Sequence, residues 1–189
     1  MRAIVCHELT GPAGLRLEEI DVPRPGPGQV RLRVRACGVN FADSLIIRGQ
    51  YQRQPAVPFT PGFEIAGEVL ETGAGVDGLS VGERVIALTP HGGYAEQAVA
   101  DVGRCVRMPE SMSWQHGAAF PVVYGTSHVA LAQRARLRVG ETLVVHGASG
   151  GVGLTAVEIG KSLGATVIAT ASRVDKLQVA RERGADHLI

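Results

Sequence analysis

A glycine-rich turn constrains the possible fold of this chain more than any other feature. The segment from His146 to Gly153 reads HGASGGVG, follows the apolar run from Leu143 to Val145, and precedes residues with helical apolar spacing. A strand, a glycine turn and a helix in this order are typical of a βαβ unit that binds a dinucleotide. The alternative, a mobile surface loop, is disfavoured because the periodicity on both sides of the turn is correct.

The glycines of this turn are expected to have separate roles. A Cβ at Gly150 would intrude on a pyrophosphate, which the N-terminus of the following helix attracts, whereas Gly153 lets that helix lie against the strand. Ala148 stands where the first glycine of G-x-G-x-x-G usually occurs, so the prediction depends on the strand-turn-helix context. We predict that four consecutive residues contact the cofactor: Ser149, Gly150, Gly151 and Val152.

The end of the next strand indicates which dinucleotide is bound. The helical pattern stops at Gly164, and residues 166–170 form a short β-branched run. An NAD-binding unit usually places Asp or Glu after this strand to bind the ribose hydroxyls. Ser172 stands there instead, followed by Arg173 and, one turn later, Lys176. Because a hydroxyl and two cations favour a 2′-phosphate, the sequence predicts NADPH.

These residues also have a structural interpretation. Ser172 and Asp175 have the spacing of a capping box for the helix that runs to Arg183, in which case Arg173 and Lys176 are merely solvated. The two interpretations are compatible with each other.

Composition limits the class of protein. The formal net charge is +1 over 189 residues with no block of like charges, which disfavours a nucleic-acid or membrane-surface partner. Three scattered cysteines without a C-x-x-C pair predict neither a disulfide framework nor a cysteine zinc site. No charged leader or membrane-length apolar run is present, so we expect a cytoplasmic protein.

Residues 1–112 are predicted to form a β domain. Apolar residues alternate with arginines over residues 30–36, and further strands are expected at 63–70, 84–88, 94–99 and 104–107. One helix is expected to begin after Asn40 and to end at Gly49. Short strands separated by glycine turns indicate a closed or partly closed barrel.

Residues 113–189 change to helical patterning and then enter the βαβ unit. Pro121 is expected to break the first helix, and a second is expected to begin near Thr126. Residues 187–189 have the pattern of a third strand. Because a doubly wound fold needs two mononucleotide-binding halves, we expect a polypeptide of roughly twice this length, and the 189 residues alone to be inactive.

Five blocks of sequence occur in order along the chain: ACGVNFAD at 36–43, RGQY at 48–51, PFTPGFE at 58–64, GGYAE at 92–96 and YGT at 124–126. With GASGGVG, they resemble the medium-chain dehydrogenase/reductase superfamily and, within it, the zinc-free quinone oxidoreductases. The resemblance implies an α/β fold class, in which an N-terminal GroES-like β-barrel-type domain precedes the first half of a Rossmann doubly wound parallel sheet.

The resemblance also implies which residues act on the substrate. Zinc-dependent relatives carry a ligand cysteine and a ligand histidine where this chain has Asn40 and Phe63, which are not zinc ligands, so no metal is expected. A carbonyl must then be polarised by hydrogen-bond donors, and Tyr51 and Asn40 are the candidates. Thr126 is expected near the nicotinamide ribose. The alternatives are helix capping with Asp43 for Asn40, loop packing for Tyr51 and an N-cap for Thr126.

The sequence therefore favours an NADPH-dependent reductase that transfers hydride to a quinone or an α,β-unsaturated carbonyl, as a homodimer when full length. It leaves open an enoyl or acryloyl thioester as the acceptor, and an NADPH-binding sensor or structural protein without turnover. No nucleic-acid or membrane partner is expected.

Overall fold

The computed structural model describes residues 1–189, which form two compact units, Met1–Pro121 and Val122–Ile189. The first unit therefore extends nine residues beyond the boundary expected after residue 112. The reason is the helix Trp114–Ala119, which packs on the β-structure: a Cβ at Gly117 would lie 3.2 Å from Cβ of Ala66. This helix therefore belongs to the first unit.

The first unit contains seven strands and two short helices. The strands are β1 (Arg2–Cys6), β2 (Leu15–Glu19), β3 (Gln29–Cys37), β4 (Glu64–Thr72), β5 (Arg84–Leu88), β6 (Gln97–Asp101) and β7 (Cys105–Arg107). The helices are α1 (Phe41–Ile46) and α2 (Trp114–Ala119), and 3-10 turns cover Gly11–Gly14 and Val102–Arg104. Antiparallel strands form one sheet in the order β6-β3-β4-β5-β7, and β1 pairs with β2 separately.

The main core cluster of this unit lies on one face of the five-stranded sheet, and helix α2 covers a smaller cluster around Ala66 on the other face. Alternate residues of β3 and β4 point to the first of these faces, and Val30, Leu32, Ile65 and Val69 are fully buried. Burial of each such side chain contributes about 2 kcal/mol to folding. The period of two therefore predicts the inward face correctly for residues 30–34, whereas a register shift between Val34 and Ala36 places Ala36 in the cluster under α2.

Two parts of the first unit differ from the sequence prediction. The sequence pattern does not predict strand β2, because LRLEE is mostly charged and lies wholly or partly exposed on a two-stranded ribbon. Strand β6 begins at Gln97 and not at Tyr94. The backbone N–H of Tyr94 instead donates to Pro61 O at 2.9 Å, and that of Glu96 donates to Arg2 O at 3.1 Å.

The second unit contains a parallel three-stranded sheet flanked by helices. Strands β8 (Thr142–His146), β9 (Thr166–Thr170) and β10 (His187–Leu188) lie in the order β10-β9-β8. Helix α4 (Gly151–Ser162) connects β8 to β9, and α5 (Val174–Glu182) connects β9 to β10. These elements agree with the predicted βαβ pattern.

The preceding helix α3 (Pro121–His128) begins five residues before the predicted start near Thr126. Proline is tolerated at the first helical position because its missing N–H would have no intrahelical partner there. The helix continues as a π-helical segment, Val129–Ala135, and ends at Arg136, which has a left-handed φ of 53°.

Helix α4 packs closely on the sheet at Gly160. A Cβ there would lie 2.6 Å from Cδ2 of Leu143 and 3.1 Å from Cγ2 of Val167, so only glycine allows this approach. Val145, Val157 and Val167 are buried between the helices and the strands. In neither unit does a helix have the length and apolar character needed to cross a bilayer.

Candidate functional site

The turn between β8 and α4 is held by its own backbone. Gly147 has a φ of 62°, which a residue with a Cβ rarely adopts, and its carbonyl accepts the N–H of Gly150 at 3.0 Å. Ala148 is fully buried and donates its N–H to Thr170 O at 3.0 Å. A methyl group is therefore accommodated where the usual motif has its first glycine.

Glycine is needed at different positions of the turn for different reasons. A Cβ at Gly153 would lie 2.8 Å from Cα of Ala148, so the protein itself requires glycine at this position. At Gly150 a Cβ would meet only Gly147 O at 3.4 Å, and φ is −78°, so neither packing nor backbone conformation requires glycine. The open space above Gly150, at the start of a 12-residue helix, fits a pyrophosphate that approaches the backbone closely.

The first turn of α4 presents its backbone to the outside. The N-cap residue is Gly150, and no side chain caps the helix there. Gly151 and Val152 are exposed, whereas Ser149 is half-buried. The unpaired N–H groups of a helix start and the helix dipole together favour an anion.

Thr126 is exposed in the middle of α3, so the alternative that it is an N-cap is wrong. The residue after it, which sequence analysis does not single out, fixes the helix instead. The hydroxyl of Ser127 lies 2.8 Å from Oγ1 of Thr155 and donates to Val152 O at 2.9 Å. Because Ser127 and Thr155 are both buried, this contact connects α3 firmly to the start of α4.

The residues predicted to meet a 2′-phosphate follow β9 and are all exposed. Arg173, and not Ser172, is the N-cap of α5, and no side chain caps this helix, so the capping-box alternative is wrong. Arg173 makes a bidentate ion pair with Asp175, with Nε to Oδ1 at 2.9 Å and Nη2 to Oδ2 at 2.8 Å. Lys176 makes no ion pair. The local positive charge is therefore partly balanced by Asp175.

Asn40 is held at the start of α1 by two acidic side chains. Its backbone N–H donates to Oδ2 of Asp43 at 2.8 Å, and its side-chain Nδ2 donates to Oε1 of Glu64 at 2.6 Å. Both carboxyl groups belong to buried residues, with exposed fractions of 3% for Asp43 and 2% for Glu64. Any Cβ at Gly38 would overlap the Glu64 carboxylate, since it would lie 2.6 Å from Cδ. The structural alternative for Asn40, capping with Asp43, is thus realised in the fold.

Burial controls the acid-base behaviour around this cluster. Desolvation raises the pKa of Asp43, and desolvation with the nearby charges of Asp43 and Glu64 raises the pKa of Cys37 to about 12. The same causes, burial first and then Asp43, raise the pKa of Tyr94. Cys37 therefore remains a thiol and is not a nucleophile at neutral pH.

Sequence analysis misses Glu64 and Tyr94 as members of this cluster. Glu64 begins β4 on the face opposite to Ile65 and Val69, so the alternation of the strand gives no signal that its carboxylate is buried. No group of three or more His, Cys, Asp or Glu residues is arranged to hold a metal ion.

Tyr51 lies in the loop that follows α1. It is 39% exposed and lines a cavity of about 700 Å³, together with Phe63 and other residues of that loop. Of the two residues predicted to polarise the acceptor, Tyr51 lines the cavity and Asn40 does not.

The matches to known proteins extend along nearly the whole chain. Residues 26–110 match the alcohol dehydrogenase GroES-like domain. Quinone oxidoreductase-like protein 2 of Rattus norvegicus is 45% identical over 186 residues, which are 97% of this chain and 52% of that protein. Quinone oxidoreductase of Homo sapiens is 38% identical over 187 residues, or 98% of this chain and 57% of that protein.

The chain belongs to the quinone oxidoreductase-like family of the medium-chain dehydrogenases/reductases. The resemblance and the fold class expected from the sequence are thereby confirmed. The chain spans about half the length of the curated relatives it matches.

Solved structures give the same result. The quinone oxidoreductase of Thermus thermophilus superposes with a TM-score of 0.88 and 38% identity, over 100% of this chain and 59% of that one. The quinone oxidoreductase of Escherichia coli has a TM-score of 0.94 and 29% identity, over 100% of this chain and 58% of that one. Both proteins were determined in complex with NADPH.

Proposed function

We propose that the protein is an NADPH-dependent oxidoreductase that reduces a quinone or an α,β-unsaturated carbonyl. The observation that carries this proposal is the open position above Gly150. Nothing in the protein requires glycine there, whereas a dinucleotide pyrophosphate does. The NADPH complexes of the Thermus thermophilus and Escherichia coli relatives support the same cofactor.

The residues of the second unit have distinct proposed roles in holding the cofactor. The backbone of Ser149, Gly150, Gly151 and Val152 binds the pyrophosphate at the start of α4. Ser172, Arg173 and Lys176 bind the 2′-phosphate, and Thr126 binds the nicotinamide ribose. When bound, NADPH supplies a hydride, which is two electrons and one proton.

The acceptor needs one further proton. Hydride addition leaves negative charge on the carbonyl oxygen, and the hydroxyl of Tyr51 donates a hydrogen bond and then a proton to it. A quinone is thereby converted to a hydroquinone, and an enone to an enol that tautomerises to the saturated carbonyl, with NADP⁺ as the second product. Asn40 has the weaker claim to a direct role, because its side-chain N–H is bound by Glu64.

A metal is not part of this proposal. A phenyl ring and an amide occupy the positions of two zinc ligands, so no zinc-bound alkoxide is available to the reaction. Elemental analysis of the purified protein should detect no stoichiometric zinc, and one zinc per chain would overturn this part of the proposal. The resemblance also favours a homodimer in the cytoplasm, which sedimentation analysis and cell fractionation test.

The central experiment follows the absorbance of NADPH with the full-length protein and a panel of quinones, enones and acryloyl thioesters. Tyr51→Phe is expected to lower kcat about a hundredfold while leaving the Kd for NADPH unchanged, because the hydroxyl acts in the transition state. Unchanged kcat would remove Tyr51 from the mechanism. NADPH binding without oxidation by any acceptor would favour a sensor or structural protein.

A further inference from the structure

The cavity lined by Tyr51 has walls and charges that define a class of ligand. Its volume of about 700 Å³ is in the usual range for a small-molecule site. The walls are mainly apolar and include Ile46, Phe59, Phe63 and Leu88. These residues suit the face of an aromatic or conjugated ring system.

The charged groups around this cavity all have one sign. Arg53 and Arg104 line it, and none of the lining residues is an Asp or a Glu. Arg53 makes no ion pair in the structure. Arg104 has only a weak partner, Asp101, whose Oδ2 lies 3.8 Å from Nε, and both side chains are 54% exposed.

Most other arginines of this unit have closer partners. Arg31 binds Glu71 at 2.7 Å and Arg35 binds Glu68 at 3.0 Å. Unlike these residues, the two arginines at the cavity have guanidinium groups available for a ligand. A guanidinium can bind a carboxylate or sulfonate in a bidentate manner.

We propose that this cavity binds an acceptor with an apolar conjugated body and an anionic substituent, which Arg53 binds and Arg104 assists. The proposal rests on the proposed function, in which Tyr51 acts on the acceptor in the same cavity. It adds a substrate class, since acceptors of similar ring size are distinguished by their charge.

The test measures binding of 2-naphthoate and its neutral analogue 2-naphthamide to the full-length protein by titration calorimetry. The carboxylate is expected to bind about tenfold more tightly than the amide, which corresponds to one charge-assisted hydrogen-bonding contact. Arg53→Gln should remove that advantage without changing the Kd for 2-naphthamide. Arg104→Gln should have a smaller effect because Asp101 already balances part of its charge.

Arg33→Gln is the matched control. Arg33 is an exposed arginine of β3 that does not line the cavity, and the substitution removes the same charge. It should leave both dissociation constants unchanged. Equal binding of the two ligands, binding of neither, or equal effects of Arg33→Gln and Arg53→Gln would overturn the proposal.

A kinetic arm separates this proposal from the proposed function. With 1,4-naphthoquinone and its 2-sulfonate as acceptors, Arg53→Gln should raise KM about tenfold for the sulfonate only. Reduction of both quinones with no change in either KM would overturn the charge proposal and leave the oxidoreductase function intact. Selective binding of 2-naphthoate without reduction of any acceptor would support the charge proposal and overturn the oxidoreductase function.

Discussion

The cluster around Asn40 in the first unit and the cofactor site of the second unit are built in opposite ways. In the first unit the polar groups of Asn40, Asp43 and Glu64 are bound to one another inside the fold. In the second unit the candidate groups at Gly150 and Ser172 are exposed and have few partners in the protein. Substitutions in this buried cluster around Asn40 should therefore change stability first, whereas substitutions at the exposed groups of the second unit should change ligand binding first.

Two glycines provide the sharpest test of this difference. Gly38→Ala is expected to lower the free energy of unfolding by about 3 kcal/mol, because its methyl group would displace the buried Glu64 carboxylate. Gly150→Ala should change it by less than about 1 kcal/mol, since a Cβ there meets only one atom at 3.4 Å. Urea denaturation of both variants measures these values.

The cofactor affinity of the same variants should show the reverse order. Gly150→Ala should weaken NADPH binding at least about tenfold, because the methyl group occupies the space of the pyrophosphate. Folded Gly38→Ala protein should retain its affinity. If Gly150→Ala destabilises the protein as much as Gly38→Ala does, the proposed separation between the two units is wrong.

The next largest effect is expected on the choice between cofactors. The wild type should bind NADPH about tenfold or more tightly than NADH, because Arg173 and Lys176 meet the 2′-phosphate. Ser172→Asp should reverse this order by repelling the phosphate and accepting the ribose hydroxyls. Calorimetric titration with both cofactors measures the reversal. Ser111→Asp, at an exposed serine of the first unit, adds the same charge and should leave the preference unchanged.

The difference between the units also explains what the sequence can predict. The second unit is a run of local patterns, so the sequence predicts β8, α4, β9 and α5 close to their observed bounds. The contact between Asn40 and Glu64 joins residues 24 positions apart on a helix start and a strand, and no local pattern reports it. The Arg173–Asp175 pair escapes prediction for another reason: Asp175 also suits a capping box, and only the observed N-cap decides between the two.

The contribution of a carboxyl group to stability should change with pH in different ways for Asp43 in the first unit and Asp186 in the second. Burial raises the pKa of Asp43, whereas the hydrogen bond from Lys161 lowers the pKa of Asp186. A raised folded-state pKa means that stability from Asp43 is fully present below the unfolded value of 3.8 and is lost as pH rises through the folded value. A lowered pKa means that stability from Asp186 is present above 3.8 and is lost only below it.

These directions predict different titrations for two variants. Between about pH 7 and about pH 4, the wild type should gain stability relative to Asp43→Asn as pH falls, while its difference from Asp186→Asn should stay constant. Urea denaturation across this range compares the two pairs. Parallel pH profiles for the two variants would contradict the assignment of Asp43 to a desolvated site.

The smallest expected effect concerns Asp175, which competes with a 2′-phosphate for the guanidinium of Arg173. The pair is well exposed, with side-chain exposures of 67% and 62%, so its strength is limited to below about 1 kcal/mol. Asp175→Asn should therefore strengthen NADPH binding about twofold to threefold and leave NADH binding unchanged. Asp77→Asn, which removes an exposed charge from the first unit, should change neither. Weaker NADPH binding by Asp175→Asn would contradict competition and indicate that Asp175 orients Arg173 towards the phosphate, in which case even this exposed site depends on a preformed contact within the protein.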